Sequence, residues 1–454
     1  MKIPVDPPKL NEILEEAAQH PGFLGIIMSG KTSAEVNGEY IHWDRLRHKT
    51  PPEGLTSRTW WASIKLARLG LKRNLPLLDK HAVNFSVSIT DTLQKRLHFI
   101  DREAAGAIQG MERSGGQGRF LMRSLIEESM TSSQLEGAAT TRIVAKEMLS
   151  TGRQPRDQSE RMIYNNYITM KTIRERGKRP FTVDEILELH AILTAGTLES
   201  EEDCGRLRSQ DDNVLFLDRG SDTVLHTPPP AREARERLQR LCDFANSQDD
   251  EPFVHPVIRA IAIHFQIGYD HPFCDGNGRT ARVLFYWAMM NAGYWLTEYL
   301  SISSVLRKSP GNYMRAYLYT EHDDVDMTYF VAQQLDVIEQ SITALHRYIL
   351  SKSEQDRAAR RVLRKAQVAG IELNHRQRAI LANAIKDPDR GYTVATHQSA
   401  HQISYPTALG DLAALVDAGL LEKHKVGRAN EFVPAPDIAT MLHSSPMPPD
   451  PTAP

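Results

Sequence analysis

The sequence predicts a mostly α-helical protein with few strands, and two observations support this fold class. Residues 120–130, 252–269 and 327–350 carry apolar side chains three and four positions apart, which is the period of a helix buried along one side. Strand-like alternation is confined to four short stretches, at 84–89, 213–218, 221–227 and 424–433.

The composition is that of a globular protein, with 41% hydrophobic and 25% charged residues in 454. A formal net charge of −2 gives no overall attraction to nucleic acid or anionic lipid. Cys204, Cys242 and Cys274 lie far apart, which argues against a disulfide framework and a structural zinc site. No apolar run approaches the roughly 18 residues of a membrane span, and the N-terminus lacks the apolar core of a signal peptide. We therefore expect a cytoplasmic protein without a membrane partner.

Composition shifts divide the chain into five predicted segments. A glycine-rich stretch at 114–118 marks the first boundary, and a charged helix connects the largest region to a small terminal domain. The last segment is rich in proline and is predicted to be disordered. The segments are an N-terminal helical region at 1–115, a central region at 116–350, a connecting helix at 351–371, a C-terminal domain at 372–440 and a tail at 441–454.

The residues that carry chemistry lie together at 271–282, which reads His-Pro-Phe-Cys-Asp-Gly-Asn-Gly-Arg-Thr-Ala-Arg. Helical patterns precede and follow this run, so it predicts a loop between two helices. Gly276 and Gly278 allow positive φ and close backbone approach, so the loop can turn its N–H groups inward. Because the loop opens onto a helix N-terminus, the pattern predicts an anion site.

The side chains in this run suit phosphate chemistry. Arg279 and Arg282 lie three positions apart on one helix face and supply two permanent cations. Asp275 offers a hard oxygen ligand for Mg²⁺ shared with phosphates. His271 at the loop entrance has an ordinary pKa near neutrality and can accept a proton from a hydroxyl.

This run resembles the signature of Fic-domain proteins over its full length. The preceding helix, with His264 seven residues ahead of His271, and residues 205–230, which resemble the family's hairpin flap, extend the resemblance over 116–350. The resemblance implies a Fic-type helical core with a β-hairpin flap, and transfer of AMP from ATP to a Ser, Thr or Tyr hydroxyl of a target protein. The intact Gly-Asn-Gly-Arg favours nucleotidyl transfer over the kinase and phosphocholine-transferase branches. Removal of AMP and the choice of nucleotide base stay open.

The resemblance also implies a role for each motif residue. His271 is implied as the general base, Asp275 as the Mg²⁺ ligand and Phe273 as the buried anchor of the loop. The groups implied to hold the phosphates are Asn277, the amides of Gly276 to Arg279, and the guanidinium groups of Arg279 and Arg282, with Arg282 toward the γ-phosphate.

Upstream, Ser132-Ser-Gln-Leu-Glu136-Gly137 resembles the family's inhibitory motif, (S/T)-x-x-x-E-(G/N), on a helix ahead of the core. The resemblance implies that Glu136 pairs with Arg282 and restrains the enzyme. The alternative is an ordinary helix that ends at a glycine and leaves Glu136 exposed.

A second phosphate-binding pattern occurs at 25–32, which matches G-x-x-x-x-G-K-[ST]. A P-loop follows a buried strand and opens a helix, whereas Pro21 and Gly22 precede this pattern and no helical period follows it. We therefore do not assign nucleotide binding to it.

Residues 374–434 read as three short helices and a β-ribbon, which predicts a winged helix-turn-helix. Ser404-Tyr-Pro406 is the predicted start of its recognition helix, which carries Asp411 and Asp417 and no Lys or Arg. Basic residues occur only in the predicted wing, at Lys423, Lys425 and Arg428. DNA binding and a protein-docking or homodimerising role both stay open. The rival to a transferase is therefore a DNA-binding regulator whose core senses a nucleotide.

Overall fold

The computed structural model describes residues 3–19, 23, 25, 33–105, 117–210, 212, 216–217, 223–247, 252–368, 373–386, 391–401, 403–426 and 429–436. The chain forms two compact units, Met1–Leu345 and His346–Pro454. All of the P-loop-like pattern except Gly25, most of the glycine-rich stretch at 114–118, Arg428 and the proline-rich tail lie outside the described residues.

The N-terminal part of the first unit contains helices and one hairpin. They are α1 (Leu10–Ala18), α2 (Trp43–Leu46), α3 (Ser57–Leu69), β1 (Lys72–Leu78), β2 (Asn84–Ser88) and α4 (Asp91–Ile100), which continues as one π-helical turn at Asp101–Ala105. The two strands pair antiparallel, with Lys72 opposite Ser88. A buried cluster around Trp61, Ile41 and Ile13 packs α1 against α3.

The remainder of the first unit is helical apart from one short hairpin. Its elements are α5 (Gln117–Leu135), α6 (Arg142–Thr151), α7 (Gln158–Arg176), α8 (Val183–Thr194), β3 (Phe216–Leu217), β4 (Val224–His226), α9 (Ala234–Asn246), α10 (Pro256–Asp270), α11 (Asn277–Asn291), α12 (Ile302–Leu306), α13 (Pro310–His322) and the first part of α14 (Thr328–Val368). Almost every residue of α10 and α11 is buried, so this antiparallel pair forms the centre of the core. The mostly helical fold class is confirmed.

A buried ion pair and two buried hydrogen bonds join the N-terminal part to residues 323–329, which run from the loop before α14 into its first turn. Lys65 Nζ lies 2.7 Å from Asp323 Oδ1, and Arg68 donates to the Tyr329 hydroxyl at 2.8 Å. The Tyr40 hydroxyl donates to Asp326 at 2.5 Å. Since buried charges are costly unless paired, these contacts hold residues from both parts in one unit.

The second unit has the order of elements that the sequence predicted. It contains the end of α14, then α15 (His375–Lys386), α16 (Val394–His401), α17 (Tyr405–Asp417) and an antiparallel hairpin of β5 (Leu421–Val426) and β6 (Ala429–Pro434). The described part of the predicted connecting helix, residues 351–368, belongs to the longer helix α14. The identification as a winged helix-turn-helix stays a prediction.

Asp411, one of the two acidic residues of the predicted recognition helix, does not lie on the surface of α17. It is buried, its carboxylate accepts from Arg376 Nε at 2.6 Å, and it lies 3.0 Å from His397 Nε2. Asp417 is exposed.

In the part of the chain that is described, no helix has the length and apolar character needed to cross a bilayer.

Candidate active site

The loop between α10 and α11 is built by two residues with positive φ. His271 ends α10 in the left-handed conformation, at φ 45° and ψ 60°, and its N–H still donates to the carbonyl of Ile267. Gly276, at φ 78°, caps the start of α11. A Cβ atom at Gly276 would lie 2.8 Å from Thr194 Cγ2, so glycine fits both the conformation and the space.

The His271 ring is held in one tautomer. Nδ1 lies 2.8 Å from the Gly268 carbonyl oxygen, which can only accept, so Nδ1 carries the proton. Nε2 is therefore the basic nitrogen. Burial lowers the pKa of His271 to about 3 and outweighs the hydrogen bond to Gly268, which acts to raise it. The ring is thus neutral at physiological pH, as a proton acceptor must be.

Phe273 and Asn277 hold the loop together from inside. Phe273 is fully buried and stacks on His190, with ring centroids 3.7 Å apart. The Asn277 side chain accepts from the Phe273 N–H at 3.0 Å and donates to the Phe273 carbonyl at 2.8 Å. Phe273 lies where an anchor is expected, whereas the Asn277 amide group, implied to hold phosphates, is engaged with the loop backbone.

The first turn of α11 presents the phosphate-binding backbone. The amides of Asn277, Gly278 and Arg279 lie at a helix N-terminus, where N–H groups lack acceptors within the helix. A Cβ atom at Gly278 would lie 2.2 Å from Glu136 Oε1. The Glu136 carboxylate therefore stands directly over this helix N-terminus.

Asp275 and Arg279 differ sharply in exposure. The Asp275 side chain is 66% exposed, and Oδ1 accepts from the Gly276 N–H at 2.6 Å. Arg279 is buried, donates from Nη1 to the Leu193 carbonyl at 3.1 Å, and has Nη2 3.9 Å from Asp275 Oδ2. Burial lowers the pKa of Arg279, although its guanidinium stays a cation.

Arg282 is the focus of the contact with α5. It is buried, donates from Nε to Ser132 Oγ at 2.9 Å and to the Ser132 carbonyl at 3.0 Å, and pairs with Glu136 Oε1 at 2.8 Å. Burial alone would lower the pKa of Arg282, but Glu136, together with Tyr313 and Glu128, raises it. Gly137 follows at φ 102° and ends the turn. The structure thus brings Ser132, Glu136 and Arg282 together.

A second carboxylate anchors α5 two turns earlier. Glu128 is buried and accepts from the Ser301 hydroxyl at 2.9 Å, the Ser303 N–H at 3.1 Å and the Ser303 hydroxyl at 2.5 Å. Burial raises the pKa of Glu128. These bonds fix α5 to the start of α12, and nothing in the sequence analysis had singled them out.

The flap strands lie against the other side of His271. The Phe216 ring meets the His271 ring edge-on at 4.1 Å. His226 Nε2 lies 2.8 Å from the Tyr269 carbonyl and Nδ1 lies 2.8 Å from Glu321 Oε2. Burial would raise the pKa of Glu321, but the His226 hydrogen bond and the Lys80 ammonium together lower it.

These groups enclose a cavity of about 160 Å³. Six of its lining residues were singled out from the sequence: Glu136, His271, Asp275, Asn277, Gly278 and Arg282. Tyr313, Tyr317 and Glu321 come from α13 and were missed, because their helical spacing is that of ordinary core residues. His264 lies behind the cavity, with Nε2 2.7 Å from the Tyr313 hydroxyl, and burial lowers its pKa to about 3.

Two further side chains that the sequence analysis missed contact the loop from outside the cavity. His190 is buried and lies with Nε2 2.9 Å from the Asp275 carbonyl and Nδ1 3.0 Å from the Gly205 nitrogen. Arg208 donates from Nε to the His271 carbonyl at 2.6 Å and also to the carbonyls of Asp270 and Pro229. His190 and Arg208 are recognised by the backbone groups to which they bond. Those partners are known only once the fold is known.

Comparison with known proteins agrees with this geometry. Residues 180–289 match the model of the Fic/DOC family. "Protein adenylyltransferase Fic" of Nematostella vectensis is 35% identical over 113 residues, which is 25% of this chain and 24% of that protein. The protein of the same name from Drosophila yakuba is 30% identical over 219 residues, or 46% of this chain and 41% of that protein. The chain thus spans less than half the length of these curated relatives.

One solved structure has a similar fold. The crystal structure of a Fic family protein from Desulfovibrio desulfuricans G20 has a TM-score of 0.50 at 18% identity, over 77% of this chain and 97% of that one. At this identity the similarity concerns the fold.

Proposed function

Because this chain carries a Fic/DOC family domain, we propose that it is a protein adenylyltransferase, which moves AMP from ATP to a Ser, Thr or Tyr hydroxyl of a target protein. The observation that carries the proposal is the position of the basic Nε2 of His271. It lies on a loop whose other end is a helix N-terminus with unbonded amides. A proton acceptor and an anion site are therefore held on one short loop.

The chemistry needs a single proton transfer. The target hydroxyl gives its proton to His271 Nε2 while its oxygen bonds to the α-phosphorus of ATP. The bond from that phosphorus to the bridging oxygen breaks, and pyrophosphate leaves. As in other phosphoryl transfers, the protein contributes mainly positioning and charge.

The first turn of α11 supplies the charge. The amides of Asn277 to Arg279 donate to phosphate oxygens and add the favourable end of the helix dipole. Arg282 can reach a terminal phosphate once Glu136 leaves it. Arg279 contributes its positive charge from beneath the loop, since it is buried.

Asp275 fits a magnesium ion that is shared with the nucleotide. Mg²⁺ is usually held by one or two carboxylates together with substrate phosphates, and Asp275 is an exposed carboxylate at the mouth of the cavity. The described residues contain no cluster of three His, Cys, Asp or Glu that could bind a metal without other ligands. When bound, the ion would neutralise phosphate charge in the transition state.

Glu136 is proposed to restrain this activity. Its carboxylate holds the Arg282 guanidinium and covers the amides at Gly278. The remaining cavity of about 160 Å³ is smaller than the roughly 300–1,000 Å³ of ordinary ligand sites. A triphosphate must therefore displace the Glu136 carboxylate to bind productively.

The proposal is tested with ATP labelled at either the α- or the γ-phosphate, using the full chain, its Glu136→Gly variant and a cell lysate as the source of targets. We expect label from α-labelled ATP on protein and none from γ-labelled ATP, with pyrophosphate released. Label from γ-labelled ATP would indicate a kinase. Release of AMP from a target labelled in advance, with no transfer to new protein, would indicate the reverse activity.

As a second candidate function, we propose that the second unit binds DNA. With Asp411 buried and paired, the exposed side chains at the start of α17 are Ser404, Tyr405 and Thr407, which are neutral. Lys423 and Lys425 are exposed on β5. The acidic residues of the predicted recognition helix therefore argue less strongly against DNA binding than the sequence alone indicated.

Duplex DNA tests this second candidate. We expect a mobility shift at low salt that weakens steeply as salt rises, and weaker binding after Lys423→Ala combined with Lys425→Ala. A chain that gives no shift even at about 50 mM salt does not bind DNA through this unit.

A further inference from the structure

The carbonyl oxygens of the catalytic loop are almost all engaged. Of the nine residues 268–276, which comprise the end of α10 and the loop after it, eight have a carbonyl that accepts a hydrogen bond, seven of them from a side chain and one from a backbone N–H. The donors, in order along the loop, are the His271 ring, His226, Arg208 three times, Asn277, His190 and Thr280.

This arrangement matters for an anion site. A carbonyl oxygen that faces a phosphate repels it, whereas an N–H group attracts it. In a planar trans peptide, the carbonyl of one residue and the N–H of the next point in opposite directions. A side chain that holds a carbonyl away from the ligand thus also fixes the direction of the following N–H.

His190 holds the peptide between Asp275 and Gly276. Its Nδ1 accepts from the Gly205 N–H at 3.0 Å, so the neutral ring carries its proton on Nε2, which donates to the Asp275 carbonyl at 2.9 Å. Burial lowers the pKa of His190 to about 4, which keeps the ring neutral. Both ring nitrogens of His190 are therefore satisfied: Nε2–H by the Asp275 carbonyl and Nδ1 by the Gly205 N–H.

Two hydrogen bonds fix that peptide: His190 holds its carbonyl, and the Asp275 carboxylate, from an exposed side chain, accepts from its N–H. Gly276 has a φ of 78°, and glycine adopts positive and negative φ about equally readily. If the peptide rotated, the Asp275 oxygen would point where the Gly276 N–H now meets the Asp275 carboxylate. It would add negative charge at the mouth of the cavity.

We propose that His190 is a positioning residue, whose Nε2–H keeps the Asp275 carbonyl turned away from the nucleotide. The inference rests on the proposed function only for the identity of the ligand as a nucleotide. His190 does not touch the reacting atoms. It acts through the loop that carries Asp275 and the first amides of α11.

Three substitutions separate this role from simple packing. His190→Gln places an amide N–H where Nε2–H lies, but loses the ring stacked on Phe273. His190→Phe keeps the stacked ring and loses the donor, and His190→Asn reaches only the position of Nδ1. His42→Phe is the matched control, because His42 is likewise buried and stacked on a ring, that of Tyr319, at 4.2 Å.

ATP affinity is measured by calorimetry on the full chain carrying Glu136→Gly, beside thermal melting and the rate of label transfer. We expect His190→Phe and His190→Asn to weaken ATP binding by about 10- to 100-fold, and His190→Gln to stay within a few-fold of the parent. His42→Phe should leave ATP binding unchanged, whatever it does to the melting temperature.

The opposite order overturns the inference. If His190→Phe binds ATP as tightly as the parent, or if His190→Gln is the worst of the three, the ring serves packing alone. If the expected order of ATP affinities appears but no variant or parent transfers label, the positioning role stands and the proposed transferase activity fails.

Discussion

The tautomer of His271 is set by a single carbonyl, that of Gly268, and this contact decides what the residue can do. We expect His271→Ala to reduce label transfer by roughly 10²–10⁴-fold, because the proton acceptor is lost. ATP affinity should change little, since the amides of α11 and Arg282 remain. The rates are compared with those of the exposed control His48→Ala. Transfer at the parent rate by His271→Ala would remove this residue from the mechanism.

The Asp275 side chain is 66% exposed and lines the cavity, and its Oδ1 also accepts from the Gly276 N–H. We expect Asp275→Ala to lower transfer and to raise the Mg²⁺ concentration needed for half-maximal rate, with only partial recovery in excess Mg²⁺. Titration of Mg²⁺ at fixed ATP measures this, with Asp91→Ala as an exposed control. An unchanged Mg²⁺ dependence would place the ion elsewhere.

For individual residues, the motif at 271–282 predicted where each side chain lies in the loop better than it predicted which groups that side chain contacts. His271 lies at the entrance of the loop and Phe273 is buried inside it, because a loop between two buried helices leaves few alternatives. The Asn277 side chain bonds to the Phe273 backbone, since a buried amide satisfies both of its groups at the nearest partners. His190 was overlooked because a lone histidine on a helix does not reveal its partners, which are 15 and 85 positions away.

At the level of elements, α5 carries the carboxylate that is proposed to restrain the site. Glu128 fixes it to the start of α12, and Glu136 reaches Arg282. Because both carboxylates lie on one stretch of chain, the anchored helix presents Glu136 to the cavity without a partner protein.

We expect Glu136→Gly to raise label transfer well above that of the natural sequence. A γ-phosphate about 4 Å from the carboxylate would meet a repulsion of about 4 kcal/mol at an effective dielectric constant near 20. The substitution removes this repulsion and releases Arg282 to bind phosphate. The measurement is transfer from α-labelled ATP to lysate proteins.

The double variant Glu136→Gly with Arg282→Ala supplies the control and should lose the gain. A folded Glu136→Gly chain that labels no more protein than the natural sequence would contradict inhibition by α5.

The elements themselves were largely predictable, and their assembly was not. Helical periodicity identified the α10–α11 pair, and alternation placed strands at 84–88 and near 216 and 226. The contribution of α13 to the cavity, through Tyr313 and Tyr317, has no signature in the sequence, because residues four apart on a helix look the same whether they face a core or a ligand.

On the scale of the whole chain, the first unit is held by buried groups that are neutral or paired, and this makes its stability depend on pH. His42, His190 and His264 are fully buried, and burial lowers their pKa values to about 4, 4 and 3. In the unfolded chain each has a pKa near 6.5. As pH falls from about 6.5 toward 4, the unfolded chain binds protons at these three histidines, whereas the folded chain does not. The free energy of unfolding therefore decreases in that pH range. Glu128 and Asp270, whose pKa values burial raises, act in the opposite direction.

A single substitution isolates one histidine from this sum. We expect His42→Phe to reduce the slope of unfolding free energy against pH by up to about 1.4 kcal/mol per pH unit between pH 4 and 6.5. The reason is that the unfolded variant no longer has a histidine at position 42 to take up a proton. All five tryptophans lie within residues 1–345, so tryptophan fluorescence in a urea titration reports the first unit alone. The nearest charges to His42 are Asp323, Asp44, Arg68 and His322, and the substitution leaves them in place. Parallel slopes for the parent and His42→Phe would show that His42 is charged in the folded protein, and that its burial does not suppress protonation.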